Sequence, residues 1–157
     1  MAARHVVIGV GNAYRGDDAV GLVVADRLAK RVTAGVAVLV VADAASRLLD
    51  AWAGADTALV VDAATAGAPP GTIHRFDASE RAVPERLLGC STHAVGVGET
   101  IELARVLGTL PRRIVVYGIE GGDFTAGSAL SRLVADAVVP AVNAVAGELD
   151  RLTSSDR

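Results

Sequence analysis

Three aspartates and one histidine carry most of the chemistry open to this chain. Asp18, Asp43 and Asp62 each come after a short β-branched run (His5 to Ile8, Val36 to Val41 and Ala58 to Val61), and His93 closes the segment Cys90-Ser91-Thr92-His93, which has no core periodicity. Carboxylates and an imidazole on separate loops form a hard-to-borderline donor set suited to a divalent transition metal with open coordination positions. By itself the spacing leaves plainer roles open, because an aspartate after a strand can cap a helix or close a turn, and a loop histidine can simply be solvated. Cys90 raises the question of thiol chemistry, since a cysteine near a histidine is a nucleophile when its thiolate is stabilised. A free cysteine is more often a small buried apolar residue, which disfavours that reading.

The first aspartate sits in the most informative stretch, Gly9-Val10-Gly11-Asn12-Ala13-Tyr14-Arg15-Gly16-Asp17-Asp18. Here a strand runs through a glycine-rich turn and delivers two acids to a helix start. Gly9 and Gly11 let the backbone turn sharply or approach a ligand closely. A dinucleotide-binding turn would need a third glycine where this chain has Tyr14, and the two acids would repel a pyrophosphate at the helix N-terminus. One of Asp17 and Asp18 is expected to cap the helix, leaving the other for chemistry; Asp17 is the better candidate for a cap or for an acid that holds the loop. Asn12 and Gly16 are expected to shape the turn, Asn12 by tolerating a left-handed conformation.

The elements that must position these residues emerge from periodicity. Unbroken runs such as His5-Val6-Val7-Ile8 fit strands buried on both faces. They alternate with helical stretches: Val20 to Arg31, about Ser46 to Trp52, Gly98 to Leu107, and Ala129 to Leu149, the last expected to bend or break at Pro140. Thr72 to Phe76 mixes polar and apolar residues as an edge strand does, Asp77 to Thr92 reads mostly as loop with a short helix, and Arg113 to Tyr117 is a further buried strand. The fold class is therefore α/β, with a mainly parallel twisted sheet of about five strands and helices on both faces. The three aspartates then fall beyond the carboxyl ends of parallel strands, where open α/β sheets bind their ligands.

A chain of 157 residues is one domain, expected over residues 1–152 with a frayed polar tail at 153–157. A net charge of −3 and only two Phe, two Tyr and one Trp give no footprint for nucleic acid. No apolar run approaches the roughly 20 residues needed to span a bilayer, so membrane insertion is not expected. The single cysteine and the absence of a secretory apolar segment before His5 suggest a cytoplasmic protein.

Taken in order, the Gly-x-Gly-Asn loop with Asp17-Asp18, the Val60-Val61-Asp62-Ala63 strand end, the Ser91-Thr92-His93 loop and Gly118-Ile119-Glu120 resemble the nickel-iron hydrogenase maturation endopeptidases over nearly the whole chain. The resemblance implies a protease that trims a C-terminal extension from the hydrogenase large-subunit precursor once nickel has been installed. It implies Asp18, Asp62 and His93 as the catalytic, metal-contacting positions. The metal would be nickel carried by the substrate, or another divalent ion in the free protein. Gly9, Gly11, Asn12, Asp17 and Asp43 would shape or support the site, and Glu120 is expected to be exposed at the same edge, facing the substrate. One departure stands out: where the family commonly has Asp-Gly-Gly-Thr, this chain has Asp43-Ala44-Ala45-Ser46. The rival from another class is a non-catalytic assembly factor, a nickel chaperone or scaffold that binds the same precursor without shortening it.

Overall fold

A computed structural model describes residues 4–32, 35–42, 45–88 and 96–157. Strands β1 (His5–Val10), β2 (Val36–Val41), β3 (Thr57–Ala64), β4 (Ile73–Asp77) and β5 (Arg113–Glu120) form one five-stranded sheet in the order β2-β1-β3-β5-β4. Four strands run parallel, and β4 pairs antiparallel with β5 at one edge. Between them lie a 3₁₀ turn at Gly16–Ala19 and helices α1 (Val20–Ala29), α2 (Ala45–Ala51), α3 (Glu85–Leu88), α4 (Val97–Leu107) and α5 (Arg132–Ser155).

Successive side chains of a strand point to opposite faces, so a strand covered on both sides must be apolar throughout. The central strands obey this. Val6, Ile8, Val10, Ala58, Val60, Ile114 and Val116 join one buried cluster with Leu48 and Trp52 near α2 and Val97, Ile101 and Ala104 of α4. Val7, Leu59, Val61, Val115 and Tyr117 join the other with Val20, Val24 and Leu28 of α1 and Val134, Val138 and Val145 of α5. The result is a three-layer α/β/α arrangement.

Helix α5 departs from expectation. It runs unbroken through Pro140, which lies on the exposed side, where the carbonyl deprived of its partner can turn to water. It also continues through Ser155, past the start of the expected frayed tail, and Asp156 Oδ2 lies 2.7 Å from Nε2 of the buried His5. A second tie crosses the sheet layer. Arg75 of β4 donates two hydrogen bonds, at 2.9 and 2.7 Å, to Glu148 of α5, and the Tyr117 hydroxyl of β5 donates to the same carboxylate. Among the described residues no helix is long and apolar enough to cross a membrane.

Candidate active site

The site begins with a close approach of helix to sheet. A Cβ on Gly9 would stand 2.3 Å from the Gly21 carbonyl oxygen, and one on Gly21 would stand 2.4 Å from the carbonyl oxygens of both Val10 and Val61. Real Cβ contacts are never so short, so only glycines allow the first turn of α1 to press onto the carboxyl ends of β1 and β3. Asp18 precedes Gly21 by one turn and Asp62 comes directly after Val61. The contact therefore brings the two carboxylates to one place. Gly21 performs the packing role that a dinucleotide-binding turn would assign to the position of Tyr14; its signal in the sequence is a glycine on the buried stripe of α1.

Both carboxylates are half-buried, and they feel each other. Burial, and secondly the charge of Asp18, push the Asp62 carboxyl up to about 8, against a single opposing hydrogen bond from the Ala63 amide at 2.8 Å. Two like charges held together where both are partly buried favour a bound cation or a retained proton.

Asp17, next in the chain, is treated differently. It is fully buried and accepts hydrogen bonds from the amides of Gly122, Asp123 and Ser131 at 2.8, 2.8 and 2.7 Å and from the Ser131 hydroxyl at 2.8 Å. Burial pushes its carboxyl up, but these bonds outweigh burial and hold it below the ordinary aspartate value. Neither Asp17 nor Asp18 caps a helix, contrary to the expectation for one of them. The 3₁₀ turn and α1 have no side-chain cap, and the Asp17 oxygens are committed to the loop after β5. Backbone bonds strengthen the same seam: Gly16 N–H to Ser128, Asp17 N–H to Asp123, and Gly127 N–H to Tyr14. Gly16 is required here, with φ of 55° and room for no Cβ beside the Asp123 carbonyl. Ser131 and the Gly122-Asp123 amides are invisible to a reading of the sequence, because nothing local marks a donor whose acceptor lies more than a hundred residues away.

Asn12 shapes the turn by another route than expected. Its side-chain oxygen accepts the Tyr14 amide at 2.9 Å, and no described non-glycine residue has positive φ. Glu120 is a correction. It is 2% exposed, accepts the amides of Ala66 at 3.1 Å and Gly67 at 2.8 Å, and lies 3.1 Å from His74 Nε2. The strand-end position suggested exposure, but the turn after β3 folds over it and uses its carboxylate as an acceptor. Among the described residues no group of three His, Cys, Asp or Glu could hold a metal. His93, Asp43 and Cys90 lie outside the described residues.

Comparison with known proteins agrees with this architecture. The profile of the hydrogenase maturation protease family matches residues 23–148. The hydrogenase expression/formation protein HupD of Thiocapsa roseopersicina is 31% identical over 145 residues, covering 87% of this chain; the chain spans only 63% of that protein's length. Among solved structures, the hydrogenase maturating endopeptidase HybD from E. coli superposes with a TM-score of 0.77 at 22% identity, covering 94% of this chain and 93% of that one, a likeness of fold. The [NiFe] hydrogenase maturation protease HycI from Thermococcus kodakarensis KOD1 gives 0.71 at 25% identity, covering 95% and 94%. The chain belongs to the hydrogenase maturation protease family.

Proposed function

We propose that this chain is an endopeptidase that removes the C-terminal extension of a nickel-loaded nickel-iron hydrogenase large-subunit precursor. The observation that carries this reading is the convergence of Asp18 and Asp62 at the carboxyl edge of the sheet, where their mutual repulsion leaves a place for a cation. Family membership supports the reaction class. In this reading the substrate's own nickel is the cation, and Asp18, Asp62 and His93 fill its open coordination positions. Recognition then depends on whether the metal has been installed, so an unloaded precursor is rejected without a deep side-chain pocket. A metal ion so placed polarises a nearby carbonyl or lowers the pKa of a bound water. The Asp17 cradle serves this chemistry by fixing the turn that carries Asp18.

The test is the intact mass of a nickel-loaded precursor from the same source, before and after incubation with this protein or with Asp18→Ala. Loss of a C-terminal peptide with the unmutated protein alone supports the endopeptidase. An unchanged mass, with binding retained, favours the assembly-factor reading instead.

A further inference from the structure

The two edges of the sheet are finished very differently. At one edge, β4 has the sequence Ile73-His74-Arg75-Phe76-Asp77, and its Arg75 is clasped by Glu148. At the other, β2 is Val36-Ala37-Val38-Leu39-Val40-Val41, with no charge, no proline and no strand beyond it among the described residues. A bare apolar edge is a template for another chain, and natural proteins ordinarily blunt it with charges, prolines or bulges.

The Val41 carbonyl accepts the Gly11 amide on the β1 side. Because main-chain groups alternate sides along a strand, those of Leu39 and Ala37 also face β1, and the N–H and C=O of Val40, Val38 and Val36 face outward. Exposure is concentrated at the end nearest the site. Leu39 is 39% and Val40 61% exposed, on opposite faces, whereas Val36 to Val38 are partly covered.

We propose that the outward edge of β2 is the docking strand for the precursor's C-terminal extension, which adds to the sheet as an extended segment with apolar side chains against Leu39 and Val40. The proposal rests on the endopeptidase reading and names how that enzyme would hold its substrate. The occupant is an extended peptide because the surface offers a ladder of main-chain groups rather than a pocket. It is the peptide to be cut because the edge leads into the site: Val41 is level with Val10, and the Gly11 turn beside it carries on to Asp18. The added strand would lie three strand spacings from β3, about 14 Å, which an extended chain crosses in about four or five residues. The paired segment is therefore separated from the scissile bond by about that many residues.

The experiment joins kinetics to amide hydrogen exchange. Steady-state cleavage of the nickel-loaded precursor is measured for the unmutated protein, Val40→Pro and Val40→Thr. Proline removes one outward donor at an edge where it is tolerated, and threonine keeps the shape and the N–H. Val40→Pro is expected to raise KM about tenfold with kcat within about twofold, the loss of one main-chain hydrogen bond. Val40→Thr is expected to behave as the unmutated protein. Exchange is monitored by NMR on the unmutated protein with a large molar excess, in place of the missing nickel contact, of a synthetic peptide of the precursor's last 30 or so residues, well over the length of one strand and its spacer. The amides of Val38 and Val40 should slow on binding while that of Leu39, already bonded to β1, does not. Cleavage by the unmutated protein with no alternating protection and no change in KM for Val40→Pro would overturn the docking strand and leave the endopeptidase standing. Protection that grows with protein concentration in the absence of peptide, together with a sedimenting dimer, assigns the edge to a second copy and also overturns it. Failure of the unmutated protein to cleave a loaded precursor overturns the endopeptidase reading itself, whatever the amides report.

Discussion

Asp17 meets three amide N–H groups and a hydroxyl, whereas Asp62, held against the turn that Asp17 anchors, meets one amide and the charge of Asp18. One carboxylate is saturated with donors and stays ionised as part of the scaffold. The other is pushed up by burial and by the charge of its neighbour. Residue type is the same in both; what differs is the number of N–H groups the backbone aims at each. Two adjacent turns of one chain thus hold the same residue type in opposite electrostatic states.

The comparison breaks first at Asp62. Asp62→Asn is expected to lower the rate of precursor cleavage on the order of a thousandfold while the urea midpoint stays level or rises, because a neutral amide relieves the repulsion. An intact-mass time course and a urea titration read the two halves of that statement. Asp17→Ala should do the reverse, lowering stability by about 2 kcal/mol as three part-buried amides and a hydroxyl lose their acceptor. Its urea midpoint must fall well below that of Asp62→Asn for the contrast to hold.

Gly21→Ala sharpens the geometric side, since its Cβ would meet two carbonyl oxygens at 2.4 Å. A loss of about 2 kcal/mol in the same titration is expected, together with slower cleavage as α1 is pushed off β3. Glu148 supplies a control far from the chemistry. Burial pushes its carboxyl up, but hydrogen bonds from Arg75 and Tyr117 outweigh burial and hold it below the ordinary glutamate value. A carboxylate whose native pKa lies below its unfolded one stabilises the protein above the unfolded value, and that contribution is lost as pH falls through the native one. The drop in Tm between pH 6 and pH 3 should therefore be smaller in Glu148→Gln, by about 2 °C.

The fold is legible in the sequence because it is written in local pattern. β-branched runs without polar interruption mean strands buried on both faces, and their alternation with amphipathic stretches leaves few topologies. Of the candidate site, the approach of Asp18 to Asp62 is legible, since parallel strands deliver the loops at their carboxyl ends to one edge of the sheet. Hidden from the sequence are the partners that give each acid its state. Asp17 is expected to hold the loop and does, but nothing local shows which groups it binds, because its donors lie on the loop after β5. Glu120 looks exposed because strand ends usually are, and only the fold of the Ala66-Gly67 turn shows it to be an interior acceptor. Pro140 suggests a bend or a break, and the helix is not interrupted there because the proline faces water, which the sequence does not say.

The pairing of His5 with Asp156 bears on how the molecule is made. β1 is an interior strand of the sheet, yet its imidazole finds this carboxylate 151 positions later in the sequence. Until the end of α5 is made His5 lacks this carboxylate, so the contact forms only after the last helix of the chain. A chain ending before Asp156 would keep the pairing of β1 with β2 and β3 and lack only this tie to α5.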